Sequence, residues 1–127
     1  MCFYTNSQCP NELIATSDIV CYKVVRQKYF LGFILILYES LCQYKIYIQN
    51  KLYKHKKPLI VENNRIYEGF HSYININKAI IAELRISTVI VRCIIPRGAK
   101  YYINVETNEY LSNQIKLKNT VKYEQNN

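Results

Sequence analysis

His71 stands between Phe70 and Ser72 in the run Gly69-Phe70-His71-Ser72-Tyr73 and is one of only two histidines in the chain. An imidazole there could serve as acid, base or hydrogen-bond donor to a phosphate. It could equally tie the end of a strand to the next element through its ring nitrogens, and both readings stand. A second chemistry is electrostatic. Lys45, Lys51, Lys54, Lys56 and Lys57 occupy a window with no acid between Glu39 and Glu62, and Tyr44, Tyr47 and Tyr53 are interleaved with them. Cations that track phosphates beside rings that stack on bases make a nucleic-acid surface. An edge strand guarded by lysines has the same look. Arg92, Arg97 and Lys100, with Lys116, extend the patch only if the strands set them on one face. His55, among Lys54, Lys56 and Lys57, reads as part of a solvated basic face.

The cysteines are a third candidate. Cys2, Cys9, Cys21, Cys42 and Cys93 are odd in number and contain no Cys-x-x-Cys pair, so neither a zinc knuckle nor a closed disulfide framework follows. Two distant histidines add no ligand set, and no metal is expected. Removal of Met1 would leave Cys2 with an amine and a thiol able to act as base and nucleophile. The bland role, a small buried hydrophobe, is the default for these thiols.

The elements that position these groups follow from composition. A chain of 127 residues is expected to form one domain. Half of its residues are apolar, with three Gly and three Pro, which excludes a linker-dominated or disordered chain. Thirteen Tyr and many Ile favour strands. The formal charge, 17 − 9 = +8, points to an acidic partner. The most apolar run, Tyr29 to Tyr38, is too short for a helix that spans a bilayer, which needs about 20 residues. It reads as a buried strand. No membrane association is expected, and with no leader visible the cytoplasm is the simplest compartment.

Residues 1–17 read as an irregular lead-in, 18–118 as a single domain and 119–127 as a frayed tail. Ile19 to Val25 and Tyr29 to Tyr38 read as strands joined by a turn at Arg26-Gln27-Lys28. Ser40 to Lys57 fits either a helical face or alternation, with strand favoured by its Tyr and Ile content. Asn63-Asn64 marks a turn, and Asn75 or Asn77 caps a short helix over Lys78 to Leu84. Thr88 to Ile95 is the central strand, ended by Pro96 and turned by Arg97-Gly98. Lys100 to Val105 and Gln114 to Lys118 complete the set. The fold class is α+β, a compact domain of mostly antiparallel sheet with one or two short helices.

The order Tyr22-Lys23-Val24-Val25, then Gly69 to Tyr73 with Ala79 following, then Cys93 to Tyr102, then Glu109 to Leu117 resembles a group of small uncharacterised proteins of Bacteroidetes-type bacteria and their phages. The resemblance spans residues 18 to 118. It implies a phage or mobile-element setting, with inhibition of a host defence system as an expectation. An anti-CRISPR-like role would make a CRISPR effector or its guide RNA the target. More remotely, the layout is similar to ADP-ribosyltransferase-like folds, which implies that Tyr22 or Lys23, with His71, Ser72 and Tyr73, faces NAD. The glutamate such enzymes carry near the last strand would be Glu109.

The sequence therefore favours a small, basic, non-enzymatic protein, with no cofactor, that binds nucleic acid or a ribonucleoprotein. The alternative is an enzyme or a sequestering protein for a nucleotide-derived small molecule at the His71 pocket.

Overall fold

The structure, a computed structural model, describes residues 3–5, 10–30, 35–41, 45–83 and 87–122. Among them strands dominate, and the one helix has eight residues. The fold is thus mostly antiparallel sheet, as expected, with the helical part of the α+β class reduced to a single short element.

The frame is the strand β3 (Ile19–Phe30). Its first half pairs antiparallel with β9 (Val89–Ile95) over seven residues, from Ile19↔Ile95 to Val25↔Val89. β-branched residues on both strands suit a pleated, buried surface. The second half pairs with β4 (Leu35–Ser40), and here the structure departs from the expected turn at Arg26-Gln27-Lys28. Those residues stay in the strand, because Arg26 lies opposite Glu39 and both Arg26 and Lys28 reach its carboxylate, at 3.6 and 3.0 Å. Polar side chains on the outer face of a long strand imitate a turn when only the sequence is read.

Ser40 to Lys57 contains two short strands, β5 (Ile46–Ile48) and β6 (Leu52–Lys54), joined through Asn50 in the left-handed region (φ 66°). Residues 42–44, with the candidate Tyr44, lie outside the described set. β5 pairs with β4, while β6 pairs with β12 (Gln114–Thr120), which in turn pairs with β9. The path β5-β4-β3-β9-β12-β6 thus curls until its two ends meet at the β5–β6 turn, where the Asn50 N–H bonds the Leu117 carbonyl. Inside the curl lies the main core of Cys21, Val25, Tyr38, Tyr47, Phe70, Val91, Cys93, Ile95, Ile115 and Leu117. The Tyr38 hydroxyl donates to the Lys118 carbonyl at 3.0 Å, so this interior phenol is satisfied.

The other arm of the sheet comprises β8 (Phe70–Tyr73), β11 (Glu109–Ser112), β10 (Lys100–Asn104) and β2 (Leu13–Ile14). β8 meets β3 only at Tyr22↔Tyr73, before β4 takes over that edge at Val25. The sheet forks between these points. Asn75 accepts the Lys78 N–H at 2.8 Å and caps α1 (Ile76–Glu83), which begins two residues before the expected start. The helix covers Val24, Tyr73 and Ile90. A third cluster joins Phe3, Leu59, Ile66, Tyr102 and Leu111 under a two-residue pairing of β1 (Phe3–Tyr4) with β7 (Arg65–Ile66). The expected lead-in therefore supplies two short strands and the buried ring of Phe3. Asn63 and Asn64 both take positive φ, 50° and 61°, at the turn before β7. No helix of the described residues is long and apolar enough to cross a membrane.

Candidate nucleic-acid interface

Strand alternation decides which cations share a face. Ile115 and Leu117 point into the main core, so Gln114 and Lys116 point out. By the same rule Arg92 and Ile94 point out from β9, Val20 and Tyr22 from β3, and Leu52 and Lys54 from β6. Register then fixes their relation. Lys116 lies opposite both Ile94 and Leu52, and Ile94 opposite Val20. Lys54 is opposite Gln114, and Arg92 is opposite Tyr22 on the other side of that row. Lys54, Lys116 and Arg92 thus step diagonally across β6, β12 and β9. Their Cα atoms are spaced roughly 8 Å apart, given ~4.8 Å between strands and ~3.4 Å per residue.

No Asp or Glu occupies an outward position on β6, β12 or β9, or on β3 from Val20 to Val24. Among the described residues no ion pair joins Lys54, Arg92 or Lys116 to a carboxylate. Three cations therefore share a surface without neutralisation, separated by the part-exposed side chains of Leu52, Ile94 and Val20. Those apolar residues were not legible as part of the site. Their only signal was the alternation within each strand.

The other candidates fall elsewhere. Lys45 lies over the Phe70 ring at 4.9 Å and Lys51 over the Tyr53 ring at 5.3 Å, so each covers an aromatic face at the rim of the core. Lys56 and Lys57 are exposed in the loop after β6. Lys57 borders a cleft of about 280 Å³ with Ile60, Glu62, Tyr67 and Glu68, so two acidic residues line the same cleft. Arg97 is exposed at the turn after β9, where its backbone N–H bonds the Asp18 carboxylate at 2.9 Å. Lys100 is exposed at the start of β10, between β2 and β11. The tyrosines turn inward. Tyr47 is 3% exposed and packs edge-on against Tyr53 and Phe70, and burial pushes its phenol well above the ordinary range. The Tyr53 hydroxyl accepts the Ile48 N–H at 2.7 Å.

The residues of the alternative pocket divide by the same alternation. Tyr22, His71 and Tyr73 share the helix-covered face, while Lys23 and Ser72 point to the interior. Ser72 and Tyr73 are buried. The Lys23 ammonium fills the fork between β3 and β8 and donates to the His71 carbonyl at 2.7 Å. On the accessible side His71 Nε2 meets Glu109 Oε2 at 2.9 Å, and the ring stands edge-on to Tyr73 at 5.1 Å. His55 pairs with Glu68 at 3.3 Å. Among the described residues no group of three or more His, Cys, Asp and Glu side chains comes together.

Comparison of the chain with protein-family models, with curated proteins and with solved structures finds no match in any of the three.

Proposed function

We propose that this protein binds nucleic acid through the sheet face that carries Lys54, Lys116 and Arg92, without performing chemistry on it. The observation that carries this reading is the diagonal of three cations on adjacent strands with no carboxylate among them. Such a row contacts phosphates and gains affinity by releasing counterions. Tyr47 and Tyr53 turn inward and offer no stacking face, so phosphate contact rather than base stacking by these two rings carries the reading. Contacts of this type position a protein on a backbone and read shape rather than sequence. In the phage setting implied by the resemblance, the acidic target is the guide RNA or nucleic-acid channel of a defence ribonucleoprotein.

The test is a salt titration of binding to duplex RNA, duplex DNA and single strands, using protein freed of nucleic acid, with the K54Q/R92Q/K116Q variant beside wild type. Binding that weakens steeply with salt and is lost in the variant supports the reading. Salt-independent binding, or a variant that binds as wild type does, overturns it.

The contact between His71 and Glu109 supports one second reading, a nucleotide-derived small molecule held beside that pair. Tyr22, His71 and Glu109 are the residues left to face it, since Ser72 and Tyr73 are buried. Incubation with labelled NAD separates binding from turnover, and binding unchanged by His71→Ala would remove this reading.

A further inference from the structure

Cys21 and Cys93 are direct partners in the β3–β9 ladder, and both side chains point into the main core. Facing residues of an antiparallel pair have Cα atoms about 4.5–5.5 Å apart, inside the 4.4–6.8 Å range that a disulfide spans. Both thiols are free and fully buried. Beside them lie the Ser72 hydroxyl and the Lys23 ammonium, the latter at the fork where β3 has left β8 and not yet met β4.

We propose that Cys21 and Cys93 form a peroxide-reactive dithiol, in which Cys21 is the attacking sulfur and Cys93 the resolving one. The two thiols differ as this requires. Its neighbours Cys93, Ser72 and Lys23 together hold the Cys21 thiol below its usual range against the effect of burial. Burial pushes the Cys93 thiol well up, and its neighbour Cys21 adds to that. A thiolate is the nucleophile in such chemistry, and a nearby cation supports it. Both cysteines are 0% exposed, so the oxidant must be as small as hydrogen peroxide and enter by local opening of the strands.

In the first step the Cys21 thiolate attacks one peroxide oxygen. The S–O bond forms, the O–O bond breaks, and the departing hydroxide takes a proton to leave as water. In the second step the Cys93 sulfur attacks the Cys21 sulfur of the sulfenic acid. The S–S bond forms, the S–O bond breaks, and the Cys93 proton leaves with the hydroxyl as a second water. The two electrons lost by the sulfurs reduce the peroxide, so no further reactant is needed. The product bond pins β3 to β9 one residue from Arg92.

The experiment takes the full chain with Cys2, Cys9 and Cys42 replaced by Ser, reduced, then exposed to equimolar hydrogen peroxide at neutral pH. It is followed by denaturing alkylation and intact-mass measurement. The expected product is lighter by two hydrogens, resists alkylation, yields one peptide pair joining Cys21 to Cys93, and reverts on reduction. In the same background C93S, which keeps a hydrogen-bond donor beside Cys21, should trap a sulfenic acid on Cys21 with a dimedone-type reagent, while C21S should give none on Cys93. If a variant fails to fold, peptide mapping of oxidised wild-type protein decides the pairing. Two alkylated thiols after peroxide, a sulfenic acid on Cys93, or higher acids with no disulfide would each overturn the proposal.

Discussion

His71 Nε2 and Glu109 Oε2 lie 2.9 Å apart although the residues are 38 positions apart in sequence. Register explains the meeting. Leu111 is the direct partner of His71 and Glu109 the partner of Tyr73, so the histidine and the carboxylate are diagonal neighbours on one face of β8 and β11. The two side chains are 21% and 23% exposed, which leaves them partly screened. A double-mutant cycle with His71→Ala and Glu109→Ala should show a coupling of about 0.5–1 kcal/mol in urea unfolding. A coupling indistinguishable from zero would mean that the contact contributes nothing to the fold.

On the proposed function, the salt dependence of nucleic-acid binding counts phosphate contacts one by one. Each of Lys54→Gln, Arg92→Gln and Lys116→Gln should lower the slope of log K against log[salt] by roughly 1. Lys56→Gln, in the neighbouring loop, should leave it unchanged. Equal effects from all four would point to bulk charge and away from the diagonal.

Gly69 and Gly98 both have positive φ, 109° and 88°, but their surroundings differ. A Cβ at Gly69 would meet Leu59 Cδ2 at 2.9 Å and the Ser112 carbonyl at 3.2 Å, whereas one at Gly98 meets nothing within 4 Å. Gly98→Ala therefore carries backbone strain alone, about 1–2 kcal/mol. Gly69→Ala adds a clash inside the β1–β7 cluster and should cost roughly 3 kcal/mol. Denaturant midpoints of the two variants should fall in that order.

Alkali should unfold the protein through its tyrosines. Burial raises the phenols of Tyr38, Tyr47, Tyr102 and Tyr110. The unfolded chain releases these protons near pH ~10, while the folded chain retains them, so the unfolded state binds fewer protons above that pH. Stability is then unaffected by these groups below about pH 10 and falls as pH rises further. Tyr47→Phe should flatten the fall by up to about 1.4 kcal/mol per pH unit, read from thermal unfolding alongside tyrosinate absorbance. An unchanged slope would show that the Tyr47 phenol ionises as freely in the folded state.

Local signals were sufficient for the elements whose residues interact with near neighbours. Asn63, Asn64 and Gly98 turn because those residue types tolerate the required backbone, Asn75 caps because its side chain reaches a nearby N–H, and the β-branched run before Pro96 forms the central strand. The same logic failed at Arg26-Gln27-Lys28, since the partner that keeps them extended, Glu39, comes from another strand. The basic window was legible as charge, but its division was not. Lys45 and Lys51 lie over rings, Lys57 borders acids, and Lys54 joins Lys116 and Arg92. Composition by itself determined a basic, strand-rich chain. Register across β6, β12, β9 and β3 decided which cations share a face and set Cys21 against Cys93, because strand pairing depends on side chains far apart in the sequence.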